Sequence, residues 1–231
     1  MMPEKKENSR EGAAFSGIRF ILWDMDGTLI NSEPQHYRAW KRTVKRLYRV
    51  PDLDFEAYKA CIGTTLPVTV EIISRICGRK LREEEVVPEH LLDKRQLEEE
   101  EGYLPMPGAE ETVRTLYERG FHMAVASSSP EEYLHRVVES LGISDCFDAC
   151  VSAIGCAHSK PAPDVFLKAM ELLGADPEET LVVEDSANGV LAGLAAGCRV
   201  IAIDNPDSGD QDISPAHAVI RKLAQLPELL S

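Results

Sequence analysis

The chain has 231 residues, 44% of them hydrophobic, and a formal net charge of −14 at pH 7. This length suits one large domain or a core with a smaller companion, and the acidic balance argues against nucleic acid as a partner, because phosphate backbones bind to basic surfaces. The six cysteines form no CxxC pair, and no stretch has the ~18 apolar residues of a membrane span. We therefore expect a cytoplasmic monomer that binds no membrane.

The N-terminal third begins with a polar stretch and then a single strand. Residues 1–17 lack the apolar centre of a signal peptide and are expected to form a disordered tail. The apolar run in residues 18–24 predicts a buried strand of a parallel sheet. Two carboxylates, Asp24 and Asp26, lie at the end of this strand. Both carboxylates could face one reacting centre, because residues two apart in a strand point the same way. Their repulsion requires a cation or a shared proton, which indicates a metal-assisted reaction with one nucleophile and one acid/base; the alternative is a turn with solvated acids.

Residues 34–101 have the periodicity of helices and contain no convincing strand. The first amphipathic stretch begins at Pro34, the second covers about 66–77, and the third, which is highly charged, spans about 82–101. We predict a small helical bundle whose last helix breaks near Pro88. Its acidic run at 98–101 is interpreted as a solvated helix face.

From residue 105 onward, short apolar strands alternate with helices of about ten residues, which is typical of a parallel, doubly wound sheet. The strand at 18–24 belongs to that sheet but is separated from it by the helical block. The predicted fold class is therefore α/β, with a doubly wound, Rossmann-like core and an inserted α-helical cap. The predicted boundaries are 18–33 and 102–231 for the core and 34–101 for the cap.

Hydroxyl groups follow the strand MAVA, at Ser127 and Ser128. Hydroxyls and free backbone N–H groups at the start of a helix can bind an anion. Ser127 is the better candidate because it is the first residue after the strand. The alternative is simple capping of the next helix, a role that we assign to Ser129.

Two further motifs carry charge. Lys160 lies in SKPAPD, where the prolines fix it, and a fixed ammonium can neutralise phosphate charge; the alternative is a surface lysine. Glu184 and Asp185 end the apolar strand LVV and could hold Mg²⁺; the alternative is capping of the following helix. The carboxyl ends of parallel strands share one edge of a sheet, so all these groups are expected to meet in one crevice.

These motifs resemble those of a known family. WDMDGT, the serine after MAVA, SKPAPD and VVEDSANG resemble, in order, the four motifs of the haloacid dehalogenase-like superfamily, over residues 18–205. The helical insertion is similar to its subgroup with a helical C1 cap, and NSEPQHYRAWK resembles its phosphatase and β-phosphoglucomutase branch.

The resemblance implies a role for each motif residue. Asp24 would be the nucleophile that forms an aspartyl-phosphate, and Asp26 the general acid/base. The expected phosphate-binding residues are Ser127, Lys160, Thr28 and Ser128. The expected Mg²⁺ ligands are Asp24, the backbone carbonyl of Asp26, and Asp185, with Glu184 nearby.

The second carboxylate, Asp26, favours a phosphatase over a dehalogenase, because a leaving alkoxide must be protonated. We predict a Mg²⁺-dependent phosphatase of small phosphorylated metabolites, such as a sugar, polyol or nucleoside monophosphate ester. The alternative is a β-phosphoglucomutase-like sugar phosphomutase, which needs cations for a second phosphate. Residues 61–66 of the cap contain no Lys or Arg, and Lys59 is the nearest cation. A non-catalytic phosphometabolite-binding module is the alternative from another class.

Several further residues are candidates for contacts with the substrate or with the motif residues. His36 could hydrogen-bond Asp26, and Trp40 could line the substrate pocket, but both could equally pack inside the helical bundle. We call residues 61–66 the cap segment; its polar side chains are the hydroxyls of Thr64 and Thr65, which could contact the substrate. Asn188 could hold Lys160 or a metal ligand in position.

Overall fold

The structure is a computed structural model that describes residues 15–50, 52–62 and 64–230. The chain divides into two compact units. Unit 1 contains the described residues up to Asn31, Pro105–Asn205 and those from Gln211 on; unit 2 contains Ser32–Leu104 and Pro206–Asp210. Most of the predicted tail, 1–17, lies outside the described residues, but 15–17 form a turn in which Phe15 is buried.

Six parallel strands form the sheet of unit 1. They are β1 (Phe20–Trp23), β2 (His122–Ser127), β3 (Ala149–Ser152), β4 (Thr180–Glu184), β5 (Arg199–Ile203) and β6 (Ala218–Ile220). Their order is β3-β2-β1-β4-β5-β6, and all neighbours run parallel. The predicted doubly wound α/β class is confirmed. The short strand β6 was not predicted, because three residues give too little periodicity to recognise.

The α-helices are α1 (Glu33–Tyr48), α2 (Phe55–Tyr58), α3 (Leu66–Ile76), α4 (Glu83–Glu101), α5 (Ala109–Glu118), α6 (Glu131–Ser140), α7 (Asp164–Leu173), α8 (Ala187–Ala195) and α9 (Leu226–Leu229). Helices α1 to α4 belong to unit 2 and the others to unit 1. In the described part of the chain, no helix is both long and apolar enough to cross a membrane.

Strands β1 and β4 lie at the centre of the sheet, and every residue of both is buried. They are paired with Trp23 opposite Val183, and the N–H of Asp24 donates to the carbonyl of Val183 at 2.9 Å. The residues that follow the two strands therefore leave the sheet at the same level. The strand order changes direction between β1 and β4, which is where open α/β sheets bind their ligands.

Unit 2 is built around the pair α1 and α4. Its apolar core includes Trp40, Val44, Leu53, Ile73 and Val86. The predicted helical bundle is thus observed, but the predicted break near Pro88 is wrong, because α4 runs unbroken through it. A proline inside a helix removes one backbone hydrogen bond, and the packing of α4 along α1 offsets that loss.

The acidic run 98–101 is not simply a solvated face. Glu98 is buried and lies 3.5 Å from the ammonium of Lys94. Glu100 and Glu101 accept from arginines of α1, namely Arg42 and Arg38. The interpretation as a solvated face therefore holds for residues 99–101, which are exposed, and is wrong for Glu98, which is buried beside Lys94.

One short segment of unit 2 is remote in sequence from the rest. Residues 206–208 form a single 3₁₀ turn that contacts α1. The α-carbon of Gly209 lies so near Ile62 that an added Cβ would meet its side chain at 3.6 Å. The residues on either side return to unit 1, where Asn205 donates to the carbonyl of Gly27 at 3.1 Å and Gln211 accepts from the N–H of Ala187 at 3.1 Å.

Candidate active site

Lys160 lies at the centre of a buried ionic cluster in unit 1. Its ammonium donates to Oδ1 of Asp24 at 2.5 Å, to Oε1 of Glu184 at 2.7 Å and to the carbonyl of Ala126 at 3.2 Å. It also lies 4.8 Å from the ring centroid of Phe166. All three oxygen partners come from the carboxyl ends of central strands, so the lysine links the ends of β1, β2 and β4.

Glu184 is held from both sides. While Oε1 accepts from Lys160, Oε2 accepts from the N–H groups of Asp185 and Ser186 and from the hydroxyl of Ser186, each at 2.9 Å. A Cβ on Gly189 of α8 would lie 1.7 Å from Oε1 of Glu184. Only glycine at this position leaves room for the carboxylate, which is therefore fixed in orientation.

Asp185 faces the loop that follows β1. Its Oδ1 accepts from the hydroxyl of Thr28 at 3.3 Å. Gly27 has a φ of +87°, and a Cβ there would lie 2.0 Å from Oδ2 of Asp185. Glycine therefore serves two purposes at this turn, a left-handed backbone and close approach of a carboxylate. The observed contact of Thr28 is with Asp185, so its predicted role at a phosphate stays untested.

Asp26 turns toward α6 rather than toward Lys160. Its Oδ2 accepts from the hydroxyl of Ser129 at 2.8 Å and its Oδ1 from the hydroxyl of Tyr133 at 2.9 Å. The expectation that Ser129 caps the helix was wrong: Pro130 is the N-cap residue and makes no side-chain cap. Because Ser129 is not needed as a cap, its hydroxyl can bind Asp26 instead.

Ser127 is the last residue of β2, and its side chain is buried. Its Oγ accepts from the N–H of Ser129 at 3.1 Å. A hydroxyl that accepts one hydrogen bond still has its own proton to donate, so Ser127 can serve as a donor to an anion. Ser128 beside it is exposed.

Burial and neighbouring charges shift the pKa values in the cluster. Burial raises the pKa of Asp24 from 3.8 to about 7, Lys160 opposes this rise, and repulsion from Glu184 adds to it. Burial acts against the charge of Lys160, but attraction by Asp24 and Glu184 outweighs it and raises the pKa of the ammonium. Lys160 therefore stays charged, whereas burial and the neighbouring carboxylate disfavour the ionised form of Asp24.

The cluster has the composition of a metal site. Asp24, Glu184 and Asp185 are buried, and each offers an oxygen within 4.8 Å of the others. Lys160 pairs with Asp24 and Glu184, so among the described residues these three carboxylates outnumber the one ammonium that lies with them. Hard oxygen ligands with surplus negative charge suit Mg²⁺, which binds to one or two carboxylates and completes its shell with water and substrate oxygens. The residues present therefore fit the predicted ion.

The other predicted site residues fall outside this cluster. Asn188 is exposed on α8, and Lys160 is held by other groups. Within unit 2, the rings of Trp40 and His90 stack at 3.9 Å, and His36 lies 6.3 Å from His90. The predicted contact of His36 with Asp26 and the pocket role of Trp40 stay predictions.

The two threonines of the cap segment are exposed. The hydroxyl of Thr64 donates to the carbonyl of Cys61 at 2.7 Å and lies 2.8 Å from the hydroxyl of Thr69. Thr65 is the N-cap residue of α3 without a side-chain cap. Lys59 is paired with Glu56 at 2.9 Å.

Sequence reasoning missed three polar contacts. Tyr133 was overlooked because tyrosine on the inner face of a helix is usually a packing residue, and Ser129 was interpreted only as a cap. Asn205 follows β5 by two residues, so the strand-end rule that found Asp26 after β1 would have identified it.

Comparison with known proteins gives the family. Residues 18–197 match the family model described as haloacid dehalogenase-like hydrolase. Hexitol phosphatase B of Escherichia coli (strain K12) is 32% identical over 199 residues, which cover 83% of this chain and 86% of that protein.

Solved structures agree with this assignment. CbbY from Rhodobacter sphaeroides in complex with phosphate is 26% identical, with a TM-score of 0.73 over 90% of this chain and 96% of that one. β-Phosphoglucomutase from Clostridium difficile is 24% identical, with a TM-score of 0.71 over 90% and 93%, and so shows the fold alone. The resemblance inferred from the motifs is confirmed: the chain is an enzyme of the haloacid dehalogenase-like hydrolase family.

Proposed function

We propose that this enzyme is a Mg²⁺-dependent phosphatase of small phosphorylated metabolites, which works through a phospho-aspartate on Asp24. One observation carries the proposal: Lys160 joins Asp24 to Glu184 inside a buried cluster with surplus negative charge, and a second carboxylate, Asp26, follows two residues later. The arrangement offers a nucleophile, a fixed cation, metal ligands and a separate acid/base.

Asp24 is the proposed nucleophile. Lys160 holds one of its oxygens, which limits rotation of the carboxylate and directs it toward a bound ester. Attack on phosphorus forms the bond from Asp24 to phosphorus and breaks the bond from phosphorus to the ester oxygen. Such covalent catalysis divides one difficult step into two easier ones.

Asp26 is the proposed acid/base. It would give a proton to the departing ester oxygen and later take one from the water that hydrolyses the phospho-aspartate. Ser127 would donate to the phosphoryl oxygens, whose charge must be balanced in the transition state, and the positive charge of Lys160 would contribute to that balance.

Asp24, Asp185 and the backbone carbonyl of Asp26 are the proposed Mg²⁺ ligands. When bound, the ion would balance the charge of the carboxylates and of the phosphoryl group. Both oxygens of Glu184 are already hydrogen-bonded, which supports a role in fixing Lys160 and the turn at Asp185. Thr28 is proposed to orient Asp185.

The proposed substrate carries a single phosphate on a polar, uncharged sugar, polyol or nucleoside. The described part of the cap segment around Thr64 offers hydroxyls and apolar groups, and its nearest cation, Lys59, is paired with Glu56. A second phosphate beside these groups would lack a cation, which is costly once it leaves water. The name of the hexitol phosphatase relative supports a polyol phosphate.

A panel of sugar, polyol and nucleoside monophosphates, scored for phosphate release with and without Mg²⁺, tests this function. We expect hydrolysis that stops on exhaustive chelation and returns when Mg²⁺ is added. Activity that survives chelation would show that the metal site is misread. No release from any ester would instead favour a non-catalytic binding module.

The rival inside the family is a sugar phosphomutase. Incubation with β-glucose 1-phosphate and a bisphosphate primer separates the two functions. We expect inorganic phosphate to accumulate, because residues 61–66 contain no Lys or Arg for a distal phosphate and Lys59 is paired with Glu56. Rapid, primer-dependent formation of glucose 6-phosphate with little free phosphate would establish the mutase. The free thiols support the proposed cytoplasmic location.

A further inference from the structure

The carboxylate of Asp26 accepts hydrogen bonds from two hydroxyl groups. Ser129 donates to Oδ2 at 2.8 Å, and Tyr133 donates to Oδ1 at 2.9 Å. Each oxygen thus accepts at least one hydrogen bond, and a carboxylate oxygen has two lone pairs with which it can accept. Two donors on opposite oxygens fix both side-chain torsions of the aspartate, which one donor alone would not do.

Ser129 is itself held in place by the ends of two strands. Its N–H donates to Oγ of Ser127 at 3.1 Å, and its carbonyl accepts from the hydroxyl of Ser152 at 2.7 Å. Ser127 ends β2 and Ser152 ends β3, and both side chains are buried. The hydroxyl that reaches Asp26 is therefore carried on a rigid part of the backbone.

Tyr133 approaches from the first turn of α6 and is only 5% exposed. A buried tyrosine must find a partner for its hydroxyl, and packing alone would be satisfied by phenylalanine. The partner here is the proposed acid/base.

We propose that Tyr133 and Ser129 are positioning residues, which hold Asp26 in the orientation required for proton transfer. The inference rests on the proposed phosphatase function and deepens it. In the first step the proton moves from Asp26 to the ester oxygen, and in the second it moves from water to Asp26. Neither hydroxyl gains or loses a proton over the cycle. Their contribution is preorganisation, which matters because small misplacements of a reacting group are costly in rate.

The experiment compares Tyr133→Phe with Tyr117→Phe, a control on the exposed face of α5. An alkyl phosphate and p-nitrophenyl phosphate are assayed with the full chain. For the alkyl ester we expect Tyr133→Phe to lower kcat/KM about 10- to 100-fold, part of the ~10²–10⁴-fold that acid–base catalysis contributes. For p-nitrophenyl phosphate kcat/KM should change little, since its leaving group needs no proton. KM should stay within about twofold, because Asp26 does not bind the phosphate.

A double-mutant cycle decides whether Tyr133 acts through Asp26. Added to Asp26→Asn, the change Tyr133→Phe should have no further effect on kcat/KM. Multiplied losses in the double variant, or equal losses for both esters, would overturn the positioning role. Ser129→Ala is the second variant if Tyr133→Phe folds poorly, and the same pattern is expected of it.

The outcomes separate this inference from the function beneath it. If the wild-type chain hydrolyses neither ester, both the phosphatase proposal and the inference fall. If the wild type is active and Tyr133→Phe matches Tyr117→Phe with both esters, the inference alone is overturned.

Discussion

Among the described residues, unit 1 gathers three buried carboxylates around one ammonium, that of Lys160, whereas the two buried carboxylates of unit 2 each pair with a different cation. In unit 2, Asp93 accepts from Arg46 at 2.8 Å and from Thr43 at 2.7 Å, and Glu98 lies beside Lys94. Each of these two carboxylates thus lies beside one cation, although Arg46 also pairs with Glu89 at 2.7 Å, and the contact of Asp93 joins α1 to α4.

The difference teaches how to tell a structural ion pair from a functional one. A balanced pair holds two elements together and requires nothing further. A buried surplus of negative charge is costly by itself, and it becomes favourable only when a cation binds. The imbalance at Asp24, Glu184 and Asp185, rather than the mere presence of charge, distinguishes the candidate site from the helix contacts of unit 2.

The largest effect is expected for Asp24→Asn. Loss of the nucleophile should lower turnover by more than about a thousandfold, since the covalent step is abolished. Stability in the absence of metal should not fall, because the change removes surplus charge while Glu184 still pairs with Lys160. Phosphate-release assays and thermal unfolding in chelator measure both. Activity above a thousandth of the wild type would show that Asp24 is not the nucleophile. A large loss of stability would show that the carboxylate cluster of unit 1 is a structural contact like those of unit 2.

A matched pair of glycines separates backbone strain from access to the metal site. Gly27 and Gly120 have φ values of +87° and +86°, but only at Gly27 would a Cβ collide with Asp185. Both alanine variants should lose about 1–2 kcal/mol of stability from the left-handed backbone. Only Gly27→Ala should weaken Mg²⁺ affinity, by about 10- to 100-fold, as for other changes that disturb a ligand's surroundings. Titration of Mg²⁺ by calorimetry is the readout, and equal affinities would contradict the proposed ligand Asp185.

Asp93→Asn in unit 2 is the counterpart of Asp24→Asn. It leaves Arg46 and Thr43 with a weaker partner, so the free energy of unfolding should fall by about 1–3 kcal/mol. Both kcat and KM should stay at wild-type values. Denaturant unfolding and steady-state assays test this, and unchanged stability would show that balanced pairs in this unit are dispensable.

His90 provides a pH test confined to unit 2, with no effect expected at neutral pH. Burial lowers its pKa to about 3, with a further contribution from Lys94. The pKa of His90 in the folded chain lies below the unfolded value of about 6.5. The contribution of the neutral imidazole to the free energy of unfolding is therefore fully present above pH 6.5 and is lost as the pH falls toward 3. Between pH 7 and pH 5 the wild type should lose about 2 kcal/mol on this account.

The variant His90→Phe keeps an aromatic ring on Trp40 and removes Nδ1, which is buried without a hydrogen-bond partner in the described residues. Between pH 7 and pH 5 the free energy of unfolding of this variant should fall by about 2 kcal/mol less than that of the wild type. His135→Gln on an exposed face is the control and should follow the wild type. An unchanged pH dependence in His90→Phe would show that the imidazole is accessible to protons.

The sequence predicted the parts of this enzyme that follow from periodicity and strand ends. Alternating apolar runs gave the parallel sheet, and the rule that strand ends meet predicted that Asp24, Lys160, Glu184 and Asp185 would come together, as they do. Local patterns could not reveal that Tyr133 reaches Asp26 across 107 positions of sequence. Nor could they show that α4 survives Pro88, because tertiary packing along α1 overrides local propensity there.

The five residues 206–210 have a consequence for transplanting the helical unit between relatives. A graft that exchanged only Ser32–Leu104 would confront α1 and Ile62 with a foreign turn from the recipient chain. The smallest portable module is therefore discontinuous, and a hybrid should carry the donor's 206–210 together with its helices. The residues that flank this segment, Asn205 and Gln211, make side-chain hydrogen bonds to the backbone of Gly27 and Ala187 in unit 1. Both should therefore be kept from the recipient chain.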